Sequence, residues 1–248
     1  MGVSGLYSGA LHVRHMPQTL QPGILTVTSA FPDPPFELAD GSENGFDIDL
    51  TGLICRHLDL QLSRQRYLAN NFDGIFDELR KKIVRRNLRH HHHPRPCQDR
   101  AILPTLCRVQ SRVAENRRVA PNVSSPAQLR GLTAGIQSGN TSDFVARPWV
   151  AEDVIAAIKY YPYDLIMTAL DDLETGKVEL VIKLFPVISW LIKDRPQLKL
   201  AMEVPTHEKL GIAFAIANVE LCDAVNHALQ TLENGGELAG LRSRWFPA

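Results

Sequence analysis

The stretch LTVTSAFPDPPFELADGSENGFDIDL, Leu25 to Leu50, decides how the chain folds. Its apolar start, from Ile24 to Val27, reads as a buried strand. That strand stops in the loop Phe31 to Phe36, because Pro32, Pro34 and Pro35 have no N–H to give to a sheet ladder. Asp40, Gly41, Ser42, Glu43 and Asn44 form a polar turn. GFDIDL, Gly45 to Leu50, then opens an amphipathic helix with Leu50, Leu53, Ile54, His57 and Leu58 on one stripe.

Working outward, Leu60 to Tyr67 reads as a second strand, Asn70 to Asp73 as a loop and Ile75 to Leu79 as a short helix. From Lys81 to Arg118 the chain changes character. It holds four consecutive histidines, His90 to His93, with Cys97, Cys107 and many arginines, and no sustained apolar period. Such a segment is expected to be loose, with order resuming near Val123. Beyond it, strands are expected at Leu132 to Ile136, Ile155 to Tyr161, Val178 to Ile182 and Leu210 to Ala215. Helices are expected from Thr141, at Asp164 to Glu174, at Val187 to Ile192, at Val219 to Glu233 and at Leu238 to Trp245. Strands alternating with helices predict an α/β fold.

Composition narrows the functional classes. Lys plus Arg and Asp plus Glu both number 27 in 248 residues, so no overall charge directs the chain to nucleic acid or to a membrane. Cys55, Cys97, Cys107 and Cys222 form no CxxC pair, and Cys55 and Cys222 fall in helical apolar patterns as buried thiols. No run approaches the ~20 apolar residues of a membrane span. Residues 1–22 read as a leader or a disordered segment. Ser8, Gly9, His12, Arg14 and His15 interrupt any secretory h-region, so no signal peptide is visible.

PPFE followed by a polar turn and GFDIDL resembles the start of the solute-binding proteins of polar amino-acid ABC transporters, the bacterial extracellular solute-binding proteins of family 3. The likeness continues through NFDGIFDEL (Asn71 to Leu79), SSPAQLRG (Ser124 to Gly131), GIQSGNTSDF (Gly135 to Phe144), ALDDLETGKVELVI (Ala169 to Ile182) and GELAGLRSRWF (Gly236 to Phe246). The resemblance implies a two-lobed type II periplasmic fold, with a sheet flanked by helices in each lobe and two hinge crossings. Lobe one would comprise residues 23–113 and 211–248, and lobe two residues 114–210. It further implies a monomer outside the cytoplasm that delivers a small polar amino acid or organic acid to an ABC permease, with no cofactor, metal or nucleic acid.

Residues 83–113 are where the resemblance lapses. Histidine codons read one nucleotide later give only Thr or Ile, so Arg89 followed by His90 to His93 becomes a small residue or Asp followed by four drawn from Thr and Ile. The family places GTTIT here, then a TPxR motif, and permitted codons extend the shifted message without a stop. The segment is therefore read as a compensated frameshift. A metal site is the competing reading, but adjacent histidines point in different directions and lack the i,i+4 or Cys/His spacing of a metal site. In relatives the TPxR arginine pairs with the ligand carboxylate. Here the shifted codons of the motif's last two residues fall across Arg95, Pro96 and Cys97, so no residue inherits the role and binding should be impaired.

The candidate ligand-binding residues implied by the resemblance are Phe31, Asp33, Phe72, Gly139, Asn140, Thr141 and Lys183. Gly139, Asn140 and Thr141 match a loop that cradles a carboxylate, although Thr141 or Ser142 would serve equally as a helix cap. Leu184 stands where relatives carry an ammonium-binding Asp, and Lys183 beside it suits an anionic ligand or is simply a surface lysine. No nucleophile and base stand at motif spacing, so no catalytic residue is assigned. The alternative is a dehydratase of the same fold, with Asp33 or Glu37 as the poised acid. A non-binding remnant is the third reading.

Overall fold

A computed structural model describes residues 17–30, 33–38, 44–67, 100–102, 107–118, 122–215 and 217–246. Strands β1 (Ile24–Ala30) and β2 (Gln61–Tyr67) pair in parallel, Leu25 opposite Leu62. Parallel neighbours need a crossover, and α1 (Phe46–Leu58) is part of it. Helix α1 buries Phe46, Leu50 and Ile54, spaced by four, which fixes its inner face.

No side chain caps α1. The proline loop does so with its backbone: the Phe46 amide donates to the Pro35 carbonyl and the Asp47 amide to the Phe36 carbonyl, both at 3.0 Å. Gly45 makes this possible. Its φ is 148°, and a Cβ there would lie 2.2 Å from the Phe36 carbonyl oxygen. Phe36, Phe46 and Phe246 then close over the joint, with ring centroids 4.9 to 6.1 Å apart. The loop that carries Asp33 is thereby fixed to α1.

Among the described residues, further parts of this body come from later in the chain. Strand β3 (Arg100–Ile102) pairs antiparallel with β9 (Ala213–Ala215). The last two helices of the described residues, spanning Val219–Asn234 and Glu237–Trp245, set Leu221, Val225, Leu229, Leu238 and Leu241 against α1 in one core.

The second body is a five-stranded sheet in the order β6-β5-β7-β4-β8. Strands β5 (Thr133–Gln137), β6 (Ala157–Tyr161) and β7 (Leu180–Leu184) are parallel; β4 (Cys107–Asn116) and β8 (Leu198–Leu210) are antiparallel to each other, and β4 runs antiparallel to β7. Helices α2 (Thr141–Ala151), α3 (Ile166–Glu174) and α4 (Phe185–Ile192) accompany it. All five residues of β7 are buried, Leu180 and Ile182 in one core and Val181 in another with Leu170 and Leu173, so both faces of the sheet are covered.

The paired ribbon of β4 and β8 joins the two bodies, since β3 precedes the one and β9 follows the other. Leu184 and Val187 pack at the seam, against the core of the first body.

Two expectations need correction. The segment expected to be loose up to Val123 contains β3 and β4, and β4 is a central strand. Its ladder bonds to β7 and β8 are made by backbone groups and so do not depend on apolar periodicity; Val113 and Ala114, at 0 % exposure, supply the buried surface. The strand β8 was not anticipated, because its burial alternates irregularly across a register break opposite Val109 and Ser111. The helix expected at Ile75 to Leu79, the histidine run and the expected leader up to residue 16 lie outside the described residues.

Candidate functional site

Five buried polar side chains from separate elements meet where the two bodies face each other. Lys183, in β7, is 5 % exposed, and Asp33, in the proline loop, is 3 % exposed. The Lys183 ammonium donates to Gln137 Oε1 at 2.5 Å and stands 3.5 Å from Asp33 Oδ1. The Tyr163 hydroxyl donates to Asp33 Oδ2 at 3.3 Å, and its ring lies 5.4 Å from the Lys183 ammonium. Gln137 Nε2 donates to the Tyr163 carbonyl, and Asn140 Nδ2 donates to Gln137 Oε1 at 3.4 Å. Buried charges persist when paired and hydrogen-bonded, and this cluster provides both conditions.

Local structure explains the convergence. Gly135 in β5 pairs with Val181 in β7, so Gln137 and Lys183, each two residues further along, project from the same face. Pro162 turns the chain out of β6 into a single 3₁₀ turn, Tyr163–Leu165, which lays Tyr163 across the strand ends. Carboxyl ends of parallel strands are where open α/β sheets place ligands.

A second cluster adjoins the first through the peptide between Asn140 and Thr141. Glu208, at 0 % exposure in β8, accepts from Thr141 Oγ1 at 2.9 Å on Oε2, and from Ser111 Oγ at 3.1 Å and Thr206 Oγ1 at 2.8 Å on Oε1. His207, at φ 49°, marks the irregularity in β8 that turns Glu208 inward.

The loop expected to cradle a carboxylate is engaged differently at each position. Asn140, rather than Thr141 or Ser142, is the cap of α2, accepting from the Asp143 amide at 3.3 Å. The Gly139 amide donates to Asp143 Oδ2 at 2.9 Å. Burial pushes the Asp143 carboxyl up, but donors from Arg147, Gly139 and Tyr160 outweigh it and hold the group below the usual carboxylate range. Thr141 turns to Glu208.

Of the sequence-derived candidates, Asp33, Asn140 and Lys183 share one network, Thr141 belongs to the next, and Gly139 supports the α2 cap. Phe31 and Phe72 lie outside the described residues. Lys183 is buried, so the surface-lysine reading fails. Leu184 is buried against the first core instead of offering an acid. Sequence reading missed Gln137, Tyr163, Ser111 and Glu208. The signal available for Glu208 was an acid inside a strand, and it was hidden because β8 was not foreseen. Among the described residues, no group of three His, Cys, Asp or Glu could hold a metal ion, and no helix is long and apolar enough to cross a membrane.

No protein-family model matches the chain. The ABC transporter arginine-binding protein 1 of Escherichia coli (strain K12) is 25% identical over 229 residues, covering 86% of this chain and 87% of that protein. Among solved structures, an ancestral arginine-binding protein bound to arginine superposes with a TM-score of 0.78 at 24% identity, over 94% of this chain and 100% of the other. The ancestral amino acid-binding protein AncCDT-1, a precursor of cyclohexadienyl dehydratase, gives a TM-score of 0.75 at 20% identity, over 90% and 95%. The architecture is thus the two-lobed amino-acid-binding fold, and the chain's homologues are binding proteins of amino-acid ABC transporters.

Proposed function

We propose that this chain is a solute-binding protein that captures a small polar carboxylate or amino-acid-like ligand between its two lobes, the body of β1, β2, β3 and β9 on one side and the five-stranded body on the other. It would deliver the ligand, as a monomer outside the cytoplasm, to an ABC permease. The observation that carries this reading is the buried Lys183–Asp33 pair, contributed by opposite bodies and ringed by Gln137, Asn140 and Tyr163. The Lys183 ammonium, with amide and hydroxyl groups around it, offers a ligand carboxylate a counter-charge and hydrogen-bond donors.

Binding is expected to be weak. Relatives of this type use a TPxR arginine for the ligand carboxylate, and Arg95, Pro96 and Cys97 replace that unit here. Loss of one partner of such a pair costs ~2–5 kcal/mol, roughly 30-fold to several thousand-fold in affinity. The coding DNA over residues 81–116 checks the origin of the change: shifted codons spelling GTTIT and TPDR, with an insertion or deletion at each end, would assign full binding to the corrected gene.

A melting-temperature screen against the amino acids and a set of small mono- and dicarboxylates tests the function. A ligand that binds only the folded state raises the melting temperature with concentration. No shift from any compound, on protein that melts cooperatively, favours the non-binding remnant. The dehydratase alternative draws on Asp33, a buried carboxyl facing the cluster with a tyrosine hydroxyl on it. It requires turnover of a cyclohexadienyl acid that disappears in Asp33→Ala.

A further inference from the structure

The Lys183–Asp33 contact is a buried polar link between two bodies that the β4–β8 ribbon and the packing of Leu184 and Val187 also join. Asp33 belongs to the first. Its carbonyl accepts from the Phe36 and Glu37 amides at 3.1 and 3.3 Å, and the same loop caps α1 through Pro35 and Phe36. Lys183, Gln137 and Tyr163 belong to the second, on β7, on β5 and after β6. Asp33 therefore carries a carboxylate from one body into a cluster of donors on the other. It lies 3.5 Å from the Lys183 ammonium and receives the Tyr163 hydroxyl at 3.3 Å.

We propose that Asp33 is an internal occupant of the acid seat: its carboxylate latches the two lobes together on Lys183 and Tyr163, and an incoming carboxylate must displace it to bind. Lys183 is then the specificity-determining residue, because it is the cation for which internal and external acids compete. The part concerning ligand rests on the solute-binding reading above; the latch itself does not.

Such a latch acts on the population of lobe arrangements. A ligand that binds only the displaced form has its apparent affinity reduced by the fraction of molecules in that form. Removing the internal acid while keeping its size should open the unliganded protein and strengthen binding of external acids. If Asp33 were instead a direct ligand contact for an ammonium group, its loss would weaken binding. The two roles predict opposite signs.

The test uses the full chain and the variants Asp33→Asn and Lys183→Met, with folding checked by circular dichroism. Small-angle scattering without ligand is expected to show a larger radius of gyration for both variants than for the wild type. Titration with succinate and with L-glutamate is expected to give binding to Asp33→Asn about 10-fold tighter than to the wild type, and none to Lys183→Met. Equal radii for all three proteins, or weaker binding in Asp33→Asn, would overturn the latch. Expansion in both variants with no binding of either probe anywhere would uphold the latch while removing the solute-binding reading. Because the pair is broken from either side, one variant's failure to fold leaves the other decisive.

Discussion

Thr141 Oγ1 donates to Glu208 Oε2 across 2.9 Å, tying the start of α2 to the long strand that links the two bodies. Glu208 also takes the hydroxyls of Ser111 and Thr206, so one buried carboxylate organises β4, β8 and α2 together. Glu208→Ala strands these donors in a buried site and is expected to cost about 2–5 kcal/mol in urea unfolding. Thr141→Val removes one donor of several and should cost about 1 kcal/mol. Equal losses for the two would show that Glu208 has no organising role.

Gly45 is the hinge of the opening motif. With φ at 148° and the Phe36 carbonyl oxygen 2.2 Å from where a Cβ would sit, Gly45→Ala forces the proline loop off the start of α1. The expected cost is about 2 kcal/mol or more, read as a lower urea midpoint. Gly23 has a φ of 77° but nothing within 4 Å of its would-be Cβ, so Gly23→Ala carries the strain without the collision and should cost less. The reverse order would contradict this account of the loop.

Asp172 supplies a pH dependence. Its carboxylate accepts from Lys159 at 2.6 Å, Lys177 at 2.9 Å and the Tyr161 hydroxyl at 2.8 Å, and the Lys159 and Lys177 ammonium groups hold it well below the usual carboxylate range. The folded group is thus harder to protonate than the unfolded one, whose pKa is about 4. The stability it contributes is fully present above that value and is lost as pH falls below it toward the folded value. Unfolding free energy measured from pH 6 down to pH 3 should fall more steeply for the wild type than for Asp172→Asn. Parallel curves would show that the lysines do not bias this carboxyl.

Leu170 fills the core on one face of the five-stranded sheet at 0 % exposure, beside Leu173 and Val181. Leu170→Ala should destabilise by about 2–5 kcal/mol, according to how far the site collapses. A loss under about 1 kcal/mol would mean the packing there is loose.

Much of the fold was legible because local chemistry and tertiary role agree. Prolines end β1, the apolar stripe of Leu50 and Ile54 marks the buried face of α1, and the apolar residues Leu180 to Ile182 mark β7 as a buried strand. The β4–β8 ribbon was hidden for a physical reason. Its strands are held by each other's backbone and by β7, so side-chain periodicity along β4 carries little information. The site was legible only where a motif carried it, as for Asp33, Asn140 and Lys183. Gln137, Tyr163 and Glu208 matter through pairings 46 to 130 residues apart along the chain that no local pattern announces. Even the lysine was ambiguous until its burial and its acid partner were both in view.

Isothermal titration of the strongest ligand from the melting screen, into the wild type and Lys183→Met side by side, tests the binding cleft most directly. One-site, saturable heat is expected for the wild type, with affinity lowered at least about 10-fold in Lys183→Met. Heat of the same affinity in both proteins would place the ligand elsewhere, and the absence of heat from folded wild-type protein would contradict solute binding by this chain.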